Sequence, residues 1–312
     1  MKRRLLGSLV CALMIGAVVA AVQQPPAASQ RKVRVAAVVL DRGGKPIEDL
    51  RPSEFEVWIG VYRVPIEAVT FVSPTSDQGR IIILVLDDLT VSPATGLRVK
   101  EAARRFVTRM RPGDQMAIIG LDGSVGQTTD DRAVLLKRIE DYSALATPRI
   151  PFERIGEHVL RTLTAISRSL AEIPGRKIVV GIGSSWVFDT PVPPPSVGRD
   201  LQQEWIAAVR SMASADANLY VVDPGGLFLA PFPTSGSTGF ARETGGHSFA
   251  HNNDTSQVAE RIMAEASTYY VLEVSDPPTG RNAELREVDV RVLRQGTTVR
   301  ARRWIPGGKS VR

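Results

Sequence analysis

Arg80-Ile-Ile-Ile-Leu-Val-Leu-Asp-Asp-Leu-Thr-Val-Ser92 is the stretch whose reading decides the fold. Six apolar residues run without a polar break into two carboxylates, and hydroxyls follow at Thr90 and Ser92. An uninterrupted apolar run of this length reads as a strand buried on both faces, the condition of a parallel sheet covered by helices. In open α/β sheets the ligand site lies just beyond the carboxyl ends of the strands. Asp87, Asp88, Thr90 and Ser92 therefore occupy the position of a site, and their oxygens suit a hard divalent cation.

Further along the chain the same pattern repeats. Apolar residues at Val99, Ala102, Ala103, Phe106, Val107 and Met110 have helical spacing, and Arg111-Pro-Gly-Asp114 ends that helix. Buried strands are expected at 116–121, 177–182 and 218–222, with helices over about 131–142 and 152–173 and around Leu201–Met212. A short helix before Gly245-Gly246, a brief strand at 247–250 and a helix capped by Asp254 or Thr255 complete an α/β segment over 80–267. This predicts a Rossmann-like, doubly wound and mostly parallel sheet.

Both flanks of that segment are β-rich. Strands are expected at 33–40, 54–59 and 66–72, with the turn Asp41-Arg-Gly-Gly-Lys-Pro46 between the first two. After residue 267, Tyr269 opens a strand, Val288, Val290 and Val292 alternate with Asp289 and Arg291, and Val299 and Ala301 alternate with Arg300 and Arg302. Alternation marks half-solvated antiparallel strands. Neither set has enough strands to bury a face alone. The N-terminal module (32–75) and the C-terminal strands (268–305) are therefore expected to pack together as a small β-sandwich-like unit, with the α/β domain inserted between them.

The first residues read as an export signal. Lys2-Arg3-Arg4 precedes an apolar run from Leu5 to Val22, with small residues Ala20 and Ala21 at its exit and a Gln/Pro/Ala/Ser linker over 23–31. A signal peptide over 1–22 predicts an exported product, periplasmic, secreted or in the cell envelope. The rival is an uncleaved anchor, the one route by which a membrane would become a partner. Cys11, the only cysteine, falls inside the apolar run. Disulfides, thiolate metal sites and cysteine nucleophiles are then excluded from the exported product. The net charge of +6 includes the three basic residues of the leader, and the remaining Arg and Lys are interleaved with acids. Nothing resembles the clustered basic face of a nucleic-acid binder.

Several phrases in this order are similar to those of bacterial proteins related to the von Willebrand factor type A superfamily. They are Asp41-Arg-Gly-Gly-Lys-Pro46, Leu50-Arg-Pro-Ser-Glu-Phe55, the apolar strand ending at Asp87 and Asp88, and Arg111-Pro-Gly-Asp-Gln-Met-Ala117. Gly175-Arg-Lys-Ile-Val-Val180, Asn218-Leu-Tyr-Val-Val-Asp-Pro224 with Leu227, Glu243-Thr-Gly-Gly246, Tyr269-Tyr-Val-Leu272 and Val299-Arg-Ala-Arg-Arg303 continue the series. The resemblance implies a type A core that binds other proteins without catalysis, often through a metal-ion-dependent adhesion site. Such a site uses Asp-x-Ser-x-Ser after the first strand, a Thr from a second loop and an Asp after the fourth strand, and Mg²⁺ or Ca²⁺ would be its cation.

This sequence departs from that pattern. Counted from Asp87 both hydroxyls are missing; counted from Asp88 the stretch reads Asp-x-Thr-x-Ser, with Thr90 and Ser92 in place. The apolar run, lacking alternation, leaves that phase open. After the strand at 177–182 the chain reads Gly183-Ser-Ser-Trp186 where an Asp is expected, and the second loop offers only Thr147. The bland alternative is that Asp87 and Asp88 cap a loop and the following helix. Partner contacts are expected at Ser184, Ser185, Trp186, Asp223 and Leu227, on the same edge as Asp87, and the loop over 228–237 is a second candidate surface. A competing reading makes the carboxylates the centre of an exported metal-dependent hydrolase or metal-dependent adhesion protein. No Gly-x-Ser-x-Gly elbow and no phosphate-binding glycine loop with its Lys is present. His247 and His251 would sit roughly 13 Å apart along a strand, too far for one metal ion. His158 is expected on the outer face of its helix.

Overall fold

In the computed structural model, the described residues are 32–307 apart from 76–78, 122–125, 145–149, 152–153, 185, 187–198, 225–234, 250–253 and 278–283. The segment 1–31, where a signal peptide and linker are expected, lies outside the described residues, as do Thr147, Ser185, Leu227, His251 and most of the loop over 228–237.

The α/β part begins at β5 (Ile81–Leu86) and continues through α1 (Pro93–Thr108), β6 (Gln115–Gly120), α2 (Arg132–Asp141), α3 (Ile155–Leu170) and β7 (Lys177–Ile182). It is completed by α4 (Arg199–Ser214), β8 (Ala217–Val222), α5 (Ser235–Glu243), β9 (His247–Phe249) and α6 (Thr255–Glu265). The sheet has the order β6-β5-β7-β8-β9, and every neighbouring pair is parallel. Parallel strands require crossovers, which place helices on both faces. Ile82, Leu84 and Leu86 pack with α1, α2 and α6, whereas Ile83 and Val85 pack with α3 and α4. Both faces of β5 are thus buried, the reason its sequence shows no alternation. This is the Rossmann-like, von Willebrand type A-like core that the sequence implies. The connection from β5 leads to one side of it and the later connections build out the other, so the topological switch point falls between β5 and β7.

The flanking strands are β1 (Lys32–Leu40), β2 (Phe55–Ile59), β3 (Tyr62–Val64) and β4 (Ile66–Val72) on the N-terminal side. On the C-terminal side they are β10 (Tyr269–Ser275), β11 (Leu285–Val292), β12 (Thr298–Ala301) and β13 (Trp304–Pro306). They form two antiparallel sheets, β12-β1-β10-β4 and β13-β11-β2-β3. Each sheet mixes both ends of the chain: Val35 pairs with Leu272, and Val57 with Val290. Their inner faces share one core that includes Val35, Phe55, Val57, Tyr270, Leu272 and Val288. Tyr270 also fixes the loop before β2, its hydroxyl accepting from Leu50 N at 3.0 Å and donating to Ile47 O at 3.1 Å.

At the amino end of the parallel sheet, a buried ion pair does structural work. Asp114, the acid of the Arg-Pro-Gly-Asp phrase, accepts from Arg80 Nε at 2.9 Å and from the backbone N of Arg80 and Arg111 at 3.0 and 2.7 Å. Arg80 then donates to Met263 O and Ser267 Oγ, tying α6 to the start of β5. Burial pushes the Asp114 carboxyl up, but these donors outweigh it and hold it below the ordinary aspartate value.

Candidate functional site

Asp87 continues the β5 ladder, its N–H donating to Ile182 O at 2.9 Å. Its fully buried carboxylate accepts four hydrogen bonds from the described residues. Oδ1 takes Leu89 N at 3.2 Å and Thr90 N at 3.0 Å, and Oδ2 takes Thr90 Oγ1 at 2.6 Å and Ser184 N at 3.0 Å. A carboxylate offers about four lone-pair positions, so this one is saturated by protein donors. It folds the loop after β5 back on itself and joins it to the loop after β7, across the switch point.

Gly183 makes that join possible. It sits at φ +148°, and a Cβ there would lie 2.0 Å from Asp87 Cβ and 2.7 Å from Oδ2. The position where the resemblance expects an aspartate is therefore next to a residue that must have no side chain. Asp87 and Gly183 are complementary: the first occupies the volume that the second leaves open.

The two hydroxyls have separate duties. Thr90 serves Asp87. Ser92 is the N-cap of α1, accepting from Thr95 N at 3.2 Å, with Pro93 at the first helical position. Asp88 is buried as well, 5% exposed. Tyr142, just past α2, closes over the pair and donates to Asp87 O at 2.5 Å. Burial, then the charges of Asp87 and Asp88, push the Tyr142 phenol up, so it stays a protonated donor. Among the described residues no group of three or more His, Asp or Glu is placed to hold a metal ion. The saturated Asp87, the capping Ser92 and the obligatory Gly183 do not fit the adhesion-site cation. A cation on Asp87 would have to displace a protein donor.

The other sequence candidates fall unequally. Ser184 is half-buried and supplies its N–H to Asp87. Trp186 is corrected from a contact residue to a core residue: it is 2% exposed and packs among the side chains of α3 and α4. Its ring lies against β7 where a Cβ on Gly181 would be 2.3 Å from Trp186 Cε2 and Cζ2. Asp223, 9% exposed, follows β8, and its N–H donates to Phe249 O at 3.3 Å. Gly183 N donates to Val222 O, so the loops after β5, β7 and β8 form one continuous edge. His158 is also corrected: it faces the sheet, with Nε2 2.6 Å from Leu121 O, not the outer side of α3. Tyr142 and Gly183 were missed. The signal for Gly183 was a glycine directly after a buried strand, which marks close backbone approach.

No family model matches the chain, and no curated protein matches it. Among solved structures, it is similar to an aerotolerance-related membrane protein from Bacteroides fragilis carrying multiple mutations to serine. The identity is 15% and the TM-score 0.44, over 60% of this chain and 98% of that one. It is also similar to the SpRpn10 VWA domain, at 11% identity and a TM-score of 0.39, over 58% of this chain and 94% of that one. The type A-like description of the core rests on strand order, helix placement and the motifs above.

Proposed function

We propose that the chain is an exported, non-catalytic protein-interaction module of the von Willebrand type A kind. In this reading it binds its partner at the carboxyl-end edge of the parallel sheet and does so without a metal ion. The observation that carries the proposal is the Asp87 carboxylate, taken up by four protein donors. An enzyme using this carboxylate as base, nucleophile or metal ligand would need at least one oxygen free for substrate or cation. Here the residue rigidifies the edge on which Asp88, Ser184 and Asp223 stand.

Calorimetry with Mg²⁺, Ca²⁺ and Mn²⁺ on the full chain and on Asp88→Ala tests the metal part. No binding heat with any cation is expected. Saturable heat that Asp88→Ala abolishes would instead establish the metal-dependent adhesion or hydrolase reading. Pull-down with Ser184→Arg and Asp223→Arg tests the surface. Loss of the partners captured by the native chain is expected, and unchanged capture with both variants would move the contact face elsewhere. Export is checked by N-terminal mass analysis of the mature protein, where cleavage after Ala21 is the expected result.

A further inference from the structure

A cleft of about 700 Å³ opens where α5 and β9 face β11 and β12, with Arg242, His247 and Arg300 in its lining. A second cleft, of about 400 Å³, is lined by Arg42, Gly44, Arg261, Gly296, Thr298 and Arg300. Arg300 borders both, so the two hollows are joined through one side chain.

The charges there do not balance. Arg291, Arg302 and Arg303 are each matched, with Asp289, with Asp216, and with Glu243 and Glu287. Arg300 is paired with buried Glu265, which also accepts from the Tyr220 hydroxyl at 3.1 Å. Arg42, Arg242 and Arg261 are exposed and form no ion pair among the described residues. The nearby Asp41 turns inward on its own loop, its Oδ1 accepting from Gly43 N and Lys45 N at 2.8 and 2.9 Å.

The cations are also held in place. The Arg261 and Arg300 guanidinium carbons stand 5.7 and 5.9 Å from the centre of the same Phe249 ring, and the His247 ring meets that ring edge-on at 4.8 Å. A Cβ on Gly44 would be 2.3 Å from Arg261 Nη2, and one on Gly296 would be 2.7 Å from Arg42 Nε. Two glycines in left-handed turns, φ +76° and +73°, thus seat two guanidinium groups against main chain. Burial, then Arg300, Arg261 and Arg242, push the His247 imidazole down to about 4, so at neutral pH it adds no charge to the repulsion. Arg42, Arg242 and Arg261 stand near the already paired Arg300 with no counter-charge of their own among the described residues; an anion that bridges such charges stabilises them, and guanidinium forks match phosphate and carboxylate oxygens.

We propose that Arg42, Arg242, Arg261 and Arg300, together with His247, form a binding site for a polyvalent oxyanion at the seam between the α/β core and the β-sandwich. The ligand chemistry is phosphate or carboxylate groups, two or more on one molecule. Asp87, Asp88, Ser184 and Asp223 are not in the lining of either cleft.

Pyrophosphate, citrate and a hexaglutamate peptide are titrated into the full chain by calorimetry at fixed ionic strength. Saturable one-to-one binding of at least one is expected, weakened about tenfold by Arg242→Gln and by Arg261→Gln, since each removes a charge-assisted contact. Both side chains are exposed and form no ion pair among the described residues, so the variants keep the fold, which thermal unfolding verifies. Arg168→Gln, an exposed arginine on α3, leaves the affinity unchanged. Pyrophosphate alone identifies a phosphate ligand, citrate without the peptide a small carboxylate, and the peptide an acidic protein segment. The site is overturned if none of the three binds more tightly than about 1 mM. It is also overturned if Arg168→Gln weakens binding as much as the two cleft variants.

Discussion

Replacing Asp87 by Asn separates a structural carboxylate from a metal ligand awaiting its ion. The amide keeps one oxygen, which can still accept from Leu89 N and Thr90 N. The other position becomes an NH₂ group facing Ser184 N–H, donor against donor, while the Thr90 hydroxyl can rotate and accept. The loss comprises one charge-assisted bond, about 1.5–3 kcal/mol, and a Ser184 N–H left unpaired, about 1–3 kcal/mol. The two overlap, because they describe the same contact, and weaker bonds to the neutral oxygen add to them. Destabilisation of about 3 kcal/mol is expected, a large part of the ~5–15 kcal/mol that holds a protein folded. Urea unfolding followed by circular dichroism, with chelator present, should show the midpoint falling by about 1 M for a slope near 3 kcal/mol/M. The opposite reading gives the opposite sign. Neighbouring carboxylates arranged for an absent cation repel each other, and neutralising one relieves that repulsion. A midpoint unchanged or raised in Asp87→Asn would refute the structural assignment.

Ser92→Ala should cost about 1 kcal/mol, the worth of an N-cap, and leave cation response unchanged, as read by chemical unfolding with and without Mg²⁺. Gly181→Ala should drive the Trp186 ring from its place against β7, because the added Cβ would stand 2.3 Å from it; a red-shifted tryptophan emission with lowered stability is the expected signature, and native emission would contradict the packing. For His247 the folded value of about 4 lies below the ordinary 6.5. Between these values the unfolded chain binds more protons, so stability falls as pH drops from about 6.5 towards 4. His247→Asn should flatten that part of the stability profile, and a profile identical to that of the native protein would show that His247 is not its source.

The α/β core was legible because its strands are buried on both faces, and such strands must be apolar throughout. The same property hid the site. A run from Ile81 to Leu86 without alternation cannot say which carboxylate ties the two loops, and the hydrogen bonds from Leu89, Thr90 and Ser184 to Asp87 fix it. The sandwich was legible in outline from alternation at Val288 and Val290, yet alternation identifies a buried face and not a partner. That β1 lies between β10 and β12 depends on contacts across more than two hundred residues. Two strands of three residues, Tyr62–Val64 and Trp304–Pro306, were too short to show a period. Trp186 was misjudged because a tryptophan after a strand reads as surface until Gly181 is recognised as the hollow that receives it. The arginine cleft was invisible for a similar reason: its members come from a turn, two helices and two strands, and only the fold assembles them.

The carboxylate buried in the loop after β5 needs partners, since a buried carboxylate without compensation is costly. Here the compensation is internal. Backbone N–H groups of Leu89 and Thr90 fill Oδ1, while Oδ2 takes one bond from the Thr90 hydroxyl and a second from the Ser184 N–H. That second bond requires the β7 loop to approach so closely that residue 183 can carry no side chain. An acid at residue 183 and the direct Asp87–Ser184 contact therefore exclude each other sterically. Placing an aspartate at Gly183 would not build a metal site; it would first break the hydrogen-bonded tie. Cation binding would require the β7 loop to withdraw and Asp87 to release Ser184, so a single Gly183→Asp change is expected to lower stability without producing cation-binding heat.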